Sequence, residues 1–420
     1  MGLARRHFMI SVACAGAALA APAVHGRARA KVVVVGGGAG GASVARKIAI
    51  DAAGQIDVTL VEPNARHTTC YFSNLYLGGL RSFESLQHGY DGLTRAGVDV
   101  VPDFAAAIDR EKRRVVLAGG GHLPYDRLVV APGIDFVDGS VPGWSPEAAD
   151  RMPHAYKAGP QTLLLAKMIE TLPQGGVFAM VAPPEPYRCP PGPYERVSMI
   201  AHYLKGKNPT AKIIIIDPKE EFTLQKLFED AWLKYYDGMI EWIGPDFGSR
   251  NLSVSPDAME ISVDGEVMKV DCCNVIPAQR AGKIADLAHL TNQSGWAPVD
   301  PFSMRSRLDD RIFVLGDSAQ QGDMPKSATS ARSQAEVAAA TVIGDLTGRE
   351  IPEPVYSNAC WSALAPGDSV KDGGTYKPAD GKIASIEKYV SQADEDAATR
   401  AATYQESLDW YHTITAQIFG

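Results

Sequence analysis

Hydrophobic and polar positions along this chain fall into short all-apolar runs separated by amphipathic stretches, the pattern of buried parallel strands with covering helices. KVVVV passes through a glycine cluster into GGASVARKIA, so residues 31–49 predict a buried strand, a tight turn and a helix start. IDVTLVE follows as a second strand ending at Glu62. LPYDRLVVAPG (123–133) and RIFVLGDSA (311–319) are further apolar strands, each running into a glycine turn. Between them GGVFAMVAPP (175–184) predicts a strand, ERVSMIAHYLKG a helix, and AKIIIIDP (211–218) another strand. DCCNVIPA, with Cys272 and Cys273, reads as an internal strand, and SATSARSQAEVAAATVIGDL as a long helix.

A chain of 420 residues is too long for one ordinary core and divides into two or three domains. Its 40 glycines and 28 prolines suit a loop-rich α/β enzyme, and an apolar fraction of 45% excludes wholesale disorder. The net charge of -8 gives no reason to expect nucleic acid as a partner. The opening residues follow another logic. ARRHF sets Arg5 beside Arg6 ahead of MISVACAGAALAAPAV, an apolar run too short to span a bilayer, and GRARA offers a cleavage site near residue 28. Paired arginines resemble the bacterial signal for export of already folded proteins, a route suited to a chain that must first acquire a cofactor. An ordinary secretory signal is the alternative. Removal of residues 1–28 takes Arg5, Arg6 and Arg27 with it, so the mature protein is expected to be more acidic, periplasmic, and without an integral membrane segment. Five cysteines then remain: Cys70, Cys189, Cys272, Cys273 and Cys360. An odd thiol in an oxidising compartment calls for an explanation.

Gly36, Gly38 and Gly41, with Ala39 between them, stand in G-x-G-x-x-G spacing. The first allows the turn, the second close approach of a pyrophosphate, and the third helix-on-strand packing. The motif alone is weak, but Glu62 closes the next strand, where a carboxylate can bind a ribose hydroxyl. The segments holding Ala131 and Gly133, and Gly316 and Asp317, resemble the second and third signatures of two-dinucleotide-binding-domain flavoproteins. That resemblance implies FAD, with Asp317 at the ribityl chain and the following helix aimed at the ring system. The middle unit has the layout of the NAD(P)H domain in glutathione-reductase-like enzymes. Its first strand, however, leads into PPEPYRCPPGPYER, where prolines at 183, 184, 186, 190, 191 and 193 replace the glycine motif and remove backbone donors. The expected fold is therefore α/β, a glutathione-reductase-like, two-dinucleotide-binding-domain flavoprotein with a third carboxy-terminal α+β domain. The FAD domain would comprise residues 29–150 and 286–355, the degenerate NAD-like domain 151–285, and the interface domain 356–420.

Cys70 lies in RHTTCYFSN, just past the second strand. It reads as a buried structural thiol, as half of a disulfide with Cys189 or Cys360, or as a covalent tether for the flavin. A local redox pair is excluded, because no C-x-x-C or C-x-x-x-x-C occurs. Together the glycine motif at 36–41, RHTTCYFSN, YRCPPGPYER, FVLGDS (313–318) and NACWSALAPGDSV around Cys360 carry a family resemblance. Over essentially all of residues 30–420 the chain resembles the flavoprotein subunit of flavocytochrome c sulfide dehydrogenase. The resemblance implies FAD bound through its 8α-methyl group to Cys70, and a Cys189–Cys360 disulfide near the ring, catalytic or structural. It also implies Glu195 as a base near the flavin; the plainer reading is a first-turn helix acid. Lys326 is a candidate for positive charge at the N1–C2 edge of the reduced flavin, or else a surface lysine. Cys272 and Cys273 are taken as buried free thiols, with a metal or redox role as the alternative; no metal site is expected.

Without a C-x-x-C-H motif the chain holds no c-type haem of its own. The resemblance supplies a c-type cytochrome subunit, expected to be dihaem, as the electron acceptor, and hydrogen sulfide as the substrate, oxidised to elemental sulfur or polysulfide. Two other functions fit the same residues. A sulfide:quinone oxidoreductase would need a membrane-facing patch, to which Trp410, Tyr411, Ile414 and Ile418 could contribute, although their spacing also fits a packed helix. A non-catalytic flavin-binding scaffold for a cytochrome would leave the Cys189/Cys360 pair without a purpose.

Overall fold

The structure is a computed structural model that describes residues 28–420, so the expected signal, except its last residue, lies outside it, as does Cys14. Five parallel strands form the first sheet, in the order Ile312–Val314, Arg127–Val130, Ala30–Val35, Ile56–Val61 and Val98–Val101. The central strand is covered on both faces, which is why its valines can be continuous; Val32 and Val34 are fully buried. Helix α1 (Ala39–Asp51) leaves its carboxyl end. The register sets Val35 beside both Val61 and Val130. Gly36, Glu62 and Ala131, the residues after these strands, therefore emerge side by side. Leu315 donates its amide to Val130 O at 3.3 Å and brings Gly316 to the same edge. In open α/β sheets ligands bind along this carboxyl edge.

A second parallel sheet runs Ile240–Ile243, Lys212–Ile216, Val177–Val181, Cys272–Val275. The chain enters and leaves it through the antiparallel pair Ile134–Phe136 and Gln279–Ala281. Helix α2 (Gly192–Lys207) starts before the apolar pattern suggests, because Pro193 fits a first turn whose amides lack intrahelical partners. One expectation changes here. Cys272–Val275 lies at the edge of its sheet, not inside it. The edge is closed by the segment at Pro153, whose carbonyl accepts the Val275 amide at 3.1 Å, and by the helix Pro160–Glu170. Both cysteines are fully buried even so.

Helix α3 (Ala328–Thr347) packs along α1 and opens on a capped turn, the Ser330 amide donating to Ser327 Oγ at 3.0 Å. The carboxy-terminal unit is an antiparallel sheet of Tyr356–Ala365, Asp368–Ala379 and Lys382–Val390, followed by helix α4 (Ala397–Phe419). Tyr411, Ile414 and Ile418 of α4 are buried, which accounts for their spacing. Among the described residues no helix is long and apolar enough to cross a membrane.

Candidate active site

The carboxyl edge of the first sheet forms a cradle that only glycine permits. At Gly36 (φ +100°) a Cβ would lie 2.4 Å from Ala131 O, and at Gly41 it would lie 1.8 Å from Gly36 O. Gly38 differs: a Cβ there would meet only His67 Cε1, at 3.5 Å, so its face opens into the cleft. Ala39 begins α1 directly behind it. Glu62 accepts the Gly37 amide at 2.8 Å through one oxygen, and the amide and side chain of Asn64 at 3.0 and 2.7 Å through the other. The carboxylate that could meet a ribose thus also fixes the glycine turn. Gly133 (φ +72°) is open on its Cβ side, and Gly316 (φ +71°) faces only Ala331. Its amide is held by Gln334 Oε1 at 2.8 Å. The cleft therefore fits a dinucleotide such as FAD.

Cys70 sits on a floor built by residues far away in sequence. Thr69 Oγ1 and Tyr411 Oη share a hydrogen bond of 3.0 Å, and His88 Nε2 lies 3.1 Å from the same hydroxyl. Phe72, in the left-handed region at φ +69°, stacks on Tyr411 at 4.5 Å. Ser73 ties the turn by donating its amide and its hydroxyl to Cys70 O, at 3.1 and 2.6 Å. Phe419 stacks on His67 and His88 at 5.5 and 5.2 Å.

Cys189 and Cys360 approach from two other parts of the chain. Cys189 (φ +54°) donates its amide to Lys326 O at 2.8 Å, while its own carbonyl accepts Gly192 N at 2.8 Å and Tyr156 Oη at 3.1 Å. A Cβ on Gly192 would come within 3.0 Å of Cys189 Sγ, so the glycine leaves room for the sulfur. Cys360 lies mid-strand, with Asn358 Nδ2 3.6 Å from its sulfur. All five described cysteines are free thiols, so the disulfide implied by the family resemblance is not formed in this structure. Burial pushes the Cys189 thiol well up, and Cys360, Glu195 and Cys70 add to it, because the four side chains lie near one another.

Glu195 is turned inward. It accepts Asn74 Nδ2 at 2.7 Å and the Ala363 amide at 2.9 Å, joining α2 to the Cys70 segment and the carboxy-terminal sheet. Burial raises its pKa. Nor is Lys326 a surface lysine. It is 8% exposed, its Nζ donates to Asp317 O and Ala319 O at 2.8 and 2.7 Å, and it stands 3.8 Å over the Trp296 ring. Burial pushes it down to about 7. Asp317 presents its carboxylate 3.5 Å from Arg188 Nη1, a charge that sequence reasoning passed over although it adjoins Cys189. Trp296, Asn74 and Arg196 were passed over too. Arg196, 2% exposed, donates to Asn74 Oδ1 and Asn274 Oδ1 and fixes the first turn of α2.

In the second sheet the corresponding edge is filled. Asp217, at the end of Lys212–Ile216, occupies the place Glu62 holds in the first sheet, yet it is fully buried. Tyr194 Oη (2.5 Å), Trp242 Nε1 (3.2 Å) and Lys219 Nζ (2.6 Å) all donate to its carboxylate. Tyr194 stacks on Phe222 with ring centroids 3.6 Å apart. Side chains stand where a second dinucleotide's ribose would be recognised.

Two nucleotide-type sheets, one open at its carboxyl edge and one plugged, define an FAD-binding oxidoreductase of the two-dinucleotide-domain class. Comparison with known proteins is consistent with this. The pyridine nucleotide-disulphide oxidoreductase family model matches residues 30–158. The model of the sulfide dehydrogenase [flavocytochrome c] flavoprotein chain, central, matches 162–277, and that of flavocytochrome c sulphide dehydrogenase, flavin-binding, matches 352–419. The chain therefore carries the central and flavin-binding domains of the flavoprotein subunit of flavocytochrome c sulfide dehydrogenase and matches that family. A mitochondrial sulfide:quinone oxidoreductase of Dictyostelium discoideum is 23% identical over 77% of this chain and 72% of its own length. Among solved structures, the sulfide:quinone oxidoreductase of Aquifex aeolicus superposes with a TM-score of 0.67 at 16% identity, covering 92% of each chain. A NAD-dependent persulfide reductase from A. fulgidus gives 0.62 at 17% identity, over 90% of this chain and 77% of that one. These last two likenesses concern the fold.

Proposed function

We propose that this protein oxidises hydrogen sulfide in the periplasm, at an FAD held covalently by Cys70, and passes the electrons to a dihaem c-type cytochrome subunit. The observation that carries the reading is the convergence of Cys70, Cys189, Cys360 and Glu195, half-buried side chains from separate parts of the chain that lie close enough to act on one another's charge. Gly36, Gly38, Ala39, Gly41, Glu62, Ala131, Gly133, Gly316 and Asp317 would hold the dinucleotide, which supplies a two-electron acceptor able to release electrons singly.

The chain's own residues do the rest. In the oxidised state Cys189 and Cys360 form a disulfide. Hydrosulfide attacks one of its sulfurs, a new S–S bond forms as the old one breaks, and the other cysteine leaves as a thiolate. Glu195, its pKa raised by burial, takes the proton from the incoming sulfide. Arg188 balances the anion from beside Cys189, and Lys326 sets a second charge behind Asp317. Attack of a further hydrosulfide on the persulfide would release polysulfide, the route to elemental sulfur, and leave both cysteines as thiols, whose return to the disulfide would hand two electrons to the bound FAD. The filled edge at Asp217 supports an acceptor other than NAD(P)+.

Acid precipitation followed by peptide mapping tests the tether. Flavin should stay with the protein on the peptide that contains Cys70, and Cys70→Ser should release it; flavin in the supernatant of the unaltered protein overturns the covalent reading. A second reading, quinone as the acceptor, draws on the names of the relatives. Rapid sulfide-driven reduction of a soluble quinone, with none of a c-type cytochrome, would establish it instead.

A further inference from the structure

Cys360 faces Asp372 across the antiparallel pair Tyr356–Ala365 and Asp368–Ala379. Directly opposed residues of such a pair share one face of the sheet, with Cβ atoms about 4.5–5.5 Å apart. The hairpin turns at Pro366-Gly367, with Gly367 at φ +78°, and its irregularity falls at Ala363/Ala365, beyond Cys360. Around Cys360 stand Cys189 and Glu195 from the α2 side, Asn358 on its own strand, Ser327 at the start of α3, and Asp372. Tyr376 on its own strand and Tyr389 on the third strand stand near Asp372.

The two acids near Cys360 differ in one respect. Both Glu195 oxygens are held by N–H donors, whereas Asp372 Oδ1 is buried with no hydrogen-bond partner. An orphaned buried carboxylate oxygen needs an explanation, because it carries a desolvation cost without return. A neighbour that delivers a proton to it is one. Burial holds the Asp372 carboxyl up at about 6; burial, with Asp372 next in importance, holds the Cys360 thiol up at about 12. The Asp372 carboxylate, ionised first, therefore opposes ionisation of the Cys360 thiol.

We propose that Asp372 is the proton acceptor of Cys360, a positioning residue that acts through the sulfur. When the Cys360 Sγ–H bond breaks, the proton passes to the free carboxylate oxygen, leaving a thiolate and a neutral carboxyl, and the proton then exchanges with solvent. The inference rests on the reading that Cys360 takes part in sulfur chemistry.

The test uses the reduced, flavin-loaded Cys189→Ser protein, with iodoacetamide labelling of Cys360 followed by peptide mass across a pH series. Above the Asp372 pKa the carboxylate opposes the thiolate, so the logarithm of the rate should rise with pH, flatten near pH 6, and rise again. Asp372→Asn should remove the inflection and speed labelling at pH 7 by about tenfold for each pKa unit the thiol falls. In the protein with both cysteines, Asp372→Asn should slow sulfide turnover and abolish its acid limb near pH 6, and Asp372→Glu should restore both. An unchanged labelling profile in Asp372→Asn overturns the inference. If that variant does not fold, a labelling profile without an inflection in the Cys189→Ser protein overturns it equally. Full sulfide turnover in Cys360→Ser would instead overturn the reading beneath it, whatever Asp372 does.

Discussion

A carboxylate in the first turn of a helix is ordinarily a surface charge answering the helix dipole. Glu195 has the position but not the exposure, because Asn74 and the Ala363 amide draw it inward. Replacing it with Gln sets an amide NH2 against one of those two donors and removes the base. Sulfide turnover should fall by about 10²-fold or more, the span of general-base effects, with flavin content unchanged; undiminished turnover would return Glu195 to the dipole role. Residue types and order were legible here, and orientation was not. DMPKSATSA contains nothing that says Lys326 is buried over Trp296, since the carbonyls that hold it belong to a turn whose shape comes from packing. Asp372 was only nearly within reach. Proline-glycine between two strand-like runs marks a hairpin, but counting back from the turn sets Trp361 opposite Asp372, and only the irregularity at Ala363/Ala365, which the sequence does not announce, moves Cys360 into that place.

At the scale of elements the apolar runs carried most of the information. The glycine spacing located the strand–turn–helix at 30–51, since only glycine tolerates a carbonyl 1.8 Å from where Cβ would be. Gly41→Ala should force α1 off its strand, cost about 1–3 kcal/mol and sharply reduce flavin content, read by absorbance and thermal melting. Ser327→Ala removes the α3 cap and a partner of Asn358; about 1 kcal/mol of stability should be lost, with the flavin retained. The prolines after the Val177–Val181 strand announced a lost turn, but the plug of Tyr194, Trp242 and Lys219 around Asp217 was hidden, because its parts come from three separate segments. NADH should leave the flavin oxidised under anaerobic conditions in which sulfide bleaches it; bleaching by NADH would contradict the plugged edge. Cys272–Val275 shows the limit of periodicity. A buried edge and a central strand have the same apolar pattern, and only the covering segments tell them apart.

For the molecule as a whole, acid is the exposed flank. Burial holds His67 down at about 4 and His154 at about 3, against about 6.5 in an unfolded chain. The folded form therefore binds fewer protons than the unfolded one below pH 6.5. Their stabilising contribution is complete above that value and is lost progressively as pH falls towards the folded values. Thermal melts should give a nearly constant Tm above pH 7 and a falling one from pH 6.5 to 4; a flat profile across that interval would show that neither imidazole is buried neutral. The floor beneath Cys70 has a further consequence, one of timing. Thr69 and Tyr411 lie 342 positions apart, yet the hydroxyl of one is bonded to that of the other, and Phe419 stacks on both histidines nearby. A ribosome that has completed both nucleotide-type sheets has still not made the residues that close this loop. The proposed flavin attachment at Cys70 would then be an event of the finished chain, and a protein carried across a membrane as an unfolded thread would have to meet its FAD on the far side.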